Sequence, residues 1–292
     1  MSAWLTTFRK IVTERGYKAQ TLRNRAGAQK HIESLLGGFL LRAVKPFQIT
    51  TALKTLSPHT AGRVLFELRD LYQEAINNAE ADANPASHVK PPASPGLRKR
   101  LTLEVWQSML KRAAVGPQRW VYAMLLLGLA TGQRRADLAK MKFSDVVDGS
   151  LRIEQQKKAR KKIGARVAIP LSLRLEAIGM TLGDVIEVCK DIGKPGEYLL
   201  RQANGRRIEM SSLTSRFHEC ILAVCGADTY RKYEWPSLHE VRSLSARTYI
   251  AEGMSPATVQ KLLGHKHAEM TQLYLDDRGL TDAEWTKVEA AE

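Results

Sequence analysis

Apolar residues in the first 90 positions recur at steps of three and four, the spacing of one face of a helix. The pattern predicts helices at about residues 4–13, 21–36 and 46–56, and a longer fourth helix that Ser57 caps. The fourth helix carries the longest apolar stripe, formed by Val64, Leu65, Leu68, Leu71, Tyr72, Ala75 and Ile76. Residues 1–90 are therefore predicted to form a small all-helical domain.

The segment 91–100 has no apolar periodicity and reads Pro-Pro-Ala-Ser-Pro-Gly-Leu-Arg-Lys-Arg. Proline stiffens an extended chain and interrupts helices, so this composition is typical of a linker between domains. Its last three residues, Arg98, Lys99 and Arg100, are predicted to contact DNA phosphates where the chain passes from one domain to the next.

Residues 101–292 are predicted to form a second, larger domain. Residues 151–154 and 166–169 alternate apolar and polar side chains, which predicts a β-hairpin. Helices are predicted at residues 102–114, 120–130, 173–189, 211–225, 236–251, 255–263 and 268–274, with a tail over about 275–292. The expected fold class is mainly α with a small β-hairpin or sheet in the second domain.

The charge of the chain points to a polyanionic partner. Forty-five Lys and Arg residues against thirty Asp and Glu give a net charge of +15. Residues 1–100 carry sixteen basic and seven acidic residues, and Arg23, Arg25 and Lys30 lie on the polar side of the second predicted helix. No apolar run reaches about 18 residues, so nucleic acid is favoured over a membrane, and a cytoplasmic, nucleoid-associated protein is expected.

Two stretches of the second domain place basic side chains where they can hold an anion. Gly132 permits a tight turn after the apolar helix, and Arg134 emerges there, well placed for bidentate binding of a phosphate. The simpler interpretation is a surface pair with Asp137. His239 and Arg242 are three residues apart on one helix and therefore share a face, although such a pair alone is often incidental.

Near the C-terminus, His265 and Tyr274 are nine residues apart. A tyrosine in this setting is either a packing residue or a nucleophile. Tyr230 and Tyr233 are the rival tyrosines. His265 and His267 have the residue type of metal ligands, but no carboxylate or cysteine completes a ligand set, so no metal site is predicted.

The turn of the predicted hairpin, residues 155–166, contains six basic residues and no acidic one. For most of them, including Lys158 and Lys162, a solvated or non-specific DNA-binding loop is the simplest interpretation. One lysine of the loop is a candidate for a chemical role.

In this order, these motifs resemble those of the tyrosine recombinases, and most closely those of the lambda-type phage integrases. The residues that carry the resemblance are Thr131-Gly-Gln-Arg134, Glu154-Gln-Gln-Lys157, His239-Glu-Val-Arg242, Leu262-Leu-Gly-His265 and Tyr274-Leu-Asp-Asp. The resemblance covers nearly the whole chain. It implies a two-domain DNA breaking-rejoining fold with an N-terminal helical core-binding domain, and without the arm-binding module of the lambda type.

The resemblance also implies a role for each residue. Tyr274 would attack the DNA phosphate, forming a 3′-phosphotyrosine. Arg134 and Arg242 would bind its non-bridging oxygens, and His265 would donate a further hydrogen bond. His239 would take the tyrosine proton. Lys157, with Lys158 and Lys162 as alternatives, would protonate the departing 5′ oxygen, and Asp137 would orient Arg134.

The implied activity is site-specific recombination, for integration and excision of a phage or another mobile element. The expected partners are double-stranded attachment sites, a homotetramer that passes through a Holliday junction, and DNA-bending accessory proteins. No cofactor is expected. Two rival functions remain open: a type IB topoisomerase that relaxes DNA as a monomer, and a catalytically silent DNA-binding regulator.

Overall fold

The computed structural model of the protein describes residues 1–92, 98–155, 165–231 and 234–276. The chain divides into two compact units, Met1–Leu97 and Arg98–Glu292. The division falls inside the segment 91–100 that composition marks as a linker. Each unit has a hydrophobic core of its own.

The first unit is helical, as its apolar periodicity predicts. Its helices are α1 (Ser2–Glu14), α2 (Ala19–Leu36), α3 (Pro46–Lys54) and α4 (Pro58–Asn77). The predicted cap of α4 is confirmed, because the Ser57 hydroxyl accepts a hydrogen bond from the backbone amide of Thr60. The apolar stripe of α4 is buried against the other helices, with only Ile76 half-buried.

Arg25, which the sequence places on the polar side of α2, is buried. Its side chain is only 9% exposed and forms ion pairs with Glu67, at 3.0 Å, and with Asp70. Both acids lie on α4, so a charge pattern read along α2 alone does not reveal them. Arg25 therefore stabilises the contact between two helices, whereas Arg23 and Lys30 remain exposed.

The second unit is built around one apolar helix. Its helices are α5 (Leu103–Ala114), α6 (Arg119–Thr131), α7 (Arg135–Leu138), α8 (Leu182–Lys190), α9 (Met210–Cys225), α10 (Leu238–Ala251), α11 (Pro256–Leu263) and α12 (Ala268–Leu275). Helix α6 packs against α5, α8 and α10 and is buried on nearly all sides, as its composition predicts. Among the described residues, no helix is long and apolar enough to cross a bilayer.

The predicted hairpin is present and belongs to a three-stranded antiparallel sheet. Its strands are β1 (Val146–Val147), β2 (Ser150–Glu154) and β3 (Arg166–Pro170), in the order β1-β2-β3. Leu151 pairs with Ile169, and Glu154 pairs with Arg166. The next residue, Gln155, donates its backbone N–H to the carbonyl of Ala165 at 2.9 Å. The register thus fixes where the basic loop leaves the sheet.

The helix predicted over residues 173–189 is wrong in its first half. Strands β4 (Arg174–Leu175) and β5 (Met180–Thr181) form a small hairpin there, joined by a 3-10 turn at Glu176–Ile178, and the α-helix α8 begins only at Leu182. Gly179 turns the chain in the left-handed region, with φ of +65°. The Glu252 carboxylate accepts hydrogen bonds from the backbone amides of Glu176 and Ala177. That partner lies more than 70 positions away and is invisible to a local pattern.

Candidate active site

Arg242, on α10, is a buried cation at the junction of two helix ends. Its side chain is 1% exposed, and it donates hydrogen bonds to the carbonyls of Gly132, at 2.7 Å, and Leu263, at 2.5 Å. Gly132 ends α6 and Gly264 ends α11, both in the left-handed conformation. Arg242 therefore occupies the place where both helices stop.

Burial, and next the charge of Arg134, lowers the pKa of Arg242 to about 10. The guanidinium is therefore still charged at neutral pH. Its Nε has no hydrogen-bond partner in the described part of the chain. An anion that binds between two guanidinium groups lowers the cost of keeping them near each other, so the pair is suited to hold an anion.

Arg134 follows the α6 turn directly, at the N-cap of α7. It is half-buried, and its Nη1 donates a 2.6 Å hydrogen bond to Oε1 of Gln155, at the end of β2. Asp137, predicted to orient Arg134, is buried, and its charge acts on Arg242. The orienting role of Asp137 stays a prediction.

Gln155 was not identified as a functional residue from the sequence, although it lies in the quoted Glu154-Gln-Gln-Lys157 motif. The signal was the period of the strand. Leu151 and Ile153 point into the core, so Gln155 continues the same buried face. A glutamine on that face must find hydrogen-bond partners inside the protein.

Tyr274, on α12, forms a hydrogen bond with His239 at the start of α10. Its Oη lies 2.7 Å from His239 Nε2. Although the His239 side chain is largely exposed, desolvation of its ring, and next the charge of Arg242, lowers its pKa below the usual value. The neutral imidazole can accept a proton from the phenol. The guanidinium carbon of Arg242 is 5.7 Å from the Tyr274 ring centre.

His265 follows Gly264 and completes the group. It is buried, its Nδ1 lies 2.9 Å from the Thr271 hydroxyl on α12, and its ring centre is 5.0 Å from that of Tyr274. The backbone N–H of His265 donates to the carbonyl of Gln260. The structure thus brings Arg134, Arg242, His239, His265 and Tyr274 together.

Polar contacts hold the carbonyl end of helix α12. Thr271 is its only buried described residue, and Leu273 is 66% exposed. The Ser243 hydroxyl donates to the Tyr274 carbonyl at 2.8 Å. Arg100 donates to the carbonyls of Leu273 and, at 2.8 Å, Asp276. These bonds satisfy carbonyls that the end of a helix leaves without intrahelical partners.

The prediction that Arg100 contacts DNA is therefore wrong. Its side chain is 2% exposed, and besides holding α12 it forms an ion pair with the buried Glu240, on α10, at 3.1 Å. The side chains of Arg98 and Lys99 are exposed, and Arg98 also donates to the Trp235 carbonyl at 2.9 Å. DNA contacts by these two residues stay a prediction.

The remaining candidates divide into two groups. Lys157, Lys158 and Lys162 lie outside the described residues, as does Tyr233. Tyr230 packs edge-on against the Trp235 ring, with 5.0 Å between ring centres, and burial raises its pKa, which disfavours a phenolate there. Within residues 1–92, 98–155, 165–231 and 234–276, no cluster of His, Cys, Asp and Glu side chains is suited to hold a metal ion.

A phenol hydrogen-bonded to a neutral imidazole beside two guanidinium groups can attack a bound phosphate. This arrangement in this helical fold places the protein in the class of tyrosine recombinases. Within that class, the chain belongs to the phage integrase family, which matches residues 99–279. The predicted resemblance and fold class are thereby confirmed.

Two curated relatives match almost the whole chain. The integrase of Enterobacteria phage 434 is 33% identical over 99% of this chain and 78% of its own length. The integrase of Escherichia phage lambda has the same identity and coverage.

Solved structures of related proteins match as broadly. A lambda integrase fragment, residues 75–356, crystallised as a dimer bound to a COC′ core site, has a TM-score of 0.88 at 30% identity, over 100% of this chain and 99% of that one. A lambda integrase tetramer bound to a Holliday junction has a TM-score of 0.87 at 30% identity, over 98% of this chain and 79% of that one.

Proposed function

We propose that this chain is a site-specific recombinase that cleaves and rejoins DNA through a 3′-phosphotyrosine intermediate, for integration and excision of a phage or another mobile element. The observation that carries the proposal is the 2.7 Å hydrogen bond between Tyr274 Oη and His239 Nε2, beside the buried guanidinium of Arg242. The proposed nucleophile and its proposed base are therefore hydrogen-bonded before any substrate binds.

In the proposed cleavage step, Tyr274 Oη attacks the scissile phosphorus and its proton passes to His239 Nε2. The bond from phosphorus to the 5′ oxygen breaks, and a hairpin lysine, preferably Lys157, gives that oxygen a proton. Arg134 and Arg242 bind the non-bridging oxygens, where charge accumulates. Loss of one such donor costs roughly 3 kcal/mol, a rate loss on the order of 100-fold.

Rejoining reverses these steps with a 5′ hydroxyl from the partner strand. The phosphotyrosine retains the phosphodiester bond energy, so no nucleotide is consumed. In this proposal the two arginines supply the positive charge that stabilises the transition state, and no metal ion takes part. The buried His265, held by Thr271 Oγ1 at 2.9 Å, adds a hydrogen bond to the phosphate.

The proposed partners are double-stranded attachment sites, which a tetramer would join through a Holliday junction with DNA-bending accessory proteins. Support comes from the net charge of +15 and from lambda integrase, which has been solved bound to a core site and to a Holliday junction. Phosphate contacts dominate the affinity of such proteins, so binding should weaken steeply with salt.

A nicked suicide duplex, selected for binding from a randomised pool, tests the proposal. Cleavage a few nucleotides from the nick releases the short fragment between them, so the covalent adduct accumulates and its peptide can be mapped. We expect the adduct on Tyr274, its loss in Tyr274→Phe and its persistence in Tyr230→Phe. An adduct that survives Tyr274→Phe would overturn the assignment, and absence of any adduct would favour the silent regulator.

An assay with two intact sites separates the enzymatic rival. A recombinase yields products joined between the sites. Relaxation of supercoiled DNA by a monomer, with no joined product, would instead identify a topoisomerase.

A further inference from the structure

The side-chain amide of Gln155 lies inside the active site and forms three hydrogen bonds there, each to an element of the site. The residue is 2% exposed. Its Oε1 accepts from Arg134 Nη1 at 2.6 Å. Its Nε2 donates to Gln133 Oε1 at 2.7 Å and to the Leu263 carbonyl at 2.8 Å. One side chain thus joins the end of β2 to the α6 turn and to the end of α11.

This amide also connects the two catalytic arginines. The Leu263 carbonyl that accepts from Gln155 accepts from Arg242 as well. Arg134 and Arg242 are therefore linked through one amide and one carbonyl oxygen. A shift of Gln155 would move Arg134 relative to Arg242, and a phosphate held by both would lose one of its contacts.

Only an amide fits the three partners at once. The group must accept from a guanidinium on one side and donate to two oxygens on the other. A carboxylate would face Gln133 Oε1 and the Leu263 carbonyl without a proton to share, and would pair with Arg134 in place of the phosphate. Because the amide is neutral, it fixes Arg134 without cancelling the charge that a phosphate needs.

Gly264 indicates that the chain is closely fitted around this amide. A Cβ at Gly264 would lie 2.7 Å from Gln155 Nε2 and 2.9 Å from its Oε1. Such distances are shorter than van der Waals contact, so any other residue at 264 must displace the amide or the turn. This steric need for glycine at position 264 is separate from the left-handed backbone conformation. Gly179 has a similar φ, but a Cβ there would meet open space.

We propose that Gln155 is a positioning residue that holds the Arg134 guanidinium in register with Arg242 at the scissile phosphate. The inference rests on the proposed recombinase function. Gln155 touches neither phosphate nor nucleophile in this role and acts through Arg134. Its loss should therefore slow tyrosine attack while leaving DNA affinity, which depends on many phosphate contacts, nearly unchanged.

A double-mutant cycle with Gln155→Met and Arg134→Met tests this coupling. Methionine keeps the approximate size of glutamine and removes its polar atoms. We expect Gln155→Met to lower the rate of adduct formation roughly 10- to 100-fold on the nicked suicide duplex. The double variant should be about as slow as Arg134→Met alone, because Gln155 has no effect once Arg134 is gone. Defects that multiply instead would overturn the proposal.

Gln133→Met is the matched control. Gln133 is a second buried glutamine of the same network, and its amide donates to the carbonyls of Thr131 and Leu262. Its oxygen accepts from Gln155 but not from Arg134, and without it Gln155 would still be held by the Leu263 carbonyl. Loss of Gln133 should lower the midpoint of urea unfolding comparably, but its effect on the rate should multiply with that of Arg134→Met. If the rate effects of Gln155→Met and Gln133→Met were equally non-additive with that of Arg134→Met, the site would be loosened in general and a specific role of Gln155 would be refuted.

The wild-type protein separates this inference from the proposed function. If it forms no adduct, the proposed function fails, and the crystal structure of Gln155→Met decides the inference. An Arg134 guanidinium displaced by more than about 0.5 Å relative to Arg242 supports the positioning role. An unmoved guanidinium overturns it.

Discussion

Replacing Arg100 by methionine would test whether this arginine stabilises the catalytic domain or binds DNA. The substitution removes hydrogen bonds to the carbonyls of Leu273 and Asp276 and the cation that faces the buried Glu240. Breaking a buried ion pair from one side costs about 3–5 kcal/mol. Since a domain is stable by roughly 5–15 kcal/mol in total, the loss should be plain in urea unfolding.

The same substitution should leave the salt dependence of DNA binding unchanged. Each phosphate contact contributes a slope of about −0.9 to the plot of log affinity against log salt concentration. Arg100 is too deeply buried to contribute, whereas its neighbour Lys99 is exposed. Lys99→Met is therefore the matched control, expected to reduce the slope by about one and to change stability little.

Two measurements decide between the assignments: urea unfolding followed by far-UV circular dichroism, and DNA affinity across a salt series. Hydrogen exchange adds a local check, because amides of α12 should exchange faster in Arg100→Met once the carbonyl end of the helix is released. Unchanged stability together with a reduced salt slope would refute the structural role and restore Arg100 to the DNA surface.

Three further expectations concern the chemistry and the turns of the site. A DNA substrate with sulfur in place of the 5′ bridging oxygen has a leaving group that needs no proton, because a thiol has a pKa of about 8.5 and can leave as a thiolate. This substrate should restore cleavage by the Lys157→Ala variant. Restoration in Lys162→Ala or Lys158→Ala instead would move the acid to that residue. Because desolvation, and next Arg242, lowers the pKa of His239, the base is neutral at pH 7, and the adduct rate should fall only below about pH 6.5. A decline that begins above pH 7 would contradict this. Gly264→Ala and Gly179→Ala should each lose about 1–2 kcal/mol to left-handed strain. Gly264→Ala should lose more, because its Cβ meets Gln155, and equal losses in urea unfolding would exclude that contact.

Features fixed by local chemistry were predictable from the sequence. The Ser57 hydroxyl caps its helix as predicted, and those of Thr102 and Ser255 cap the helices predicted to begin there, since a cap needs only a side chain and a backbone amide three positions on. The buried α6 and the β2-β3 hairpin followed from composition and alternation. The short hairpin at β4 and β5 did not, because Glu252 satisfies its backbone from a distant helix.

The sequence predicted which residues the candidate site groups together, but not the partners of the charged side chains. The order of the motifs led to Arg134, Arg242, His239, His265 and Tyr274, which the fold brings together. Charged residues were assumed to face solvent or DNA, yet Arg25 and Arg100 are buried against acids on other helices. Pairing of this kind depends on tertiary packing, which no single stretch of sequence encodes.

Arg242 has both a proposed catalytic role and a structural role, so the two are expected to be conserved together. The guanidinium that would bind the phosphate also holds the ends of α6 and α11 through the carbonyls of Gly132 and Leu263. A lineage that abandons recombination can therefore lose the phenol of Tyr274 and still fold, but not this arginine. Inactive descendants that survive as DNA-binding proteins should keep Arg242 after Tyr274 has been replaced. The presence of this arginine alone is therefore weak evidence that an integrase is catalytically active.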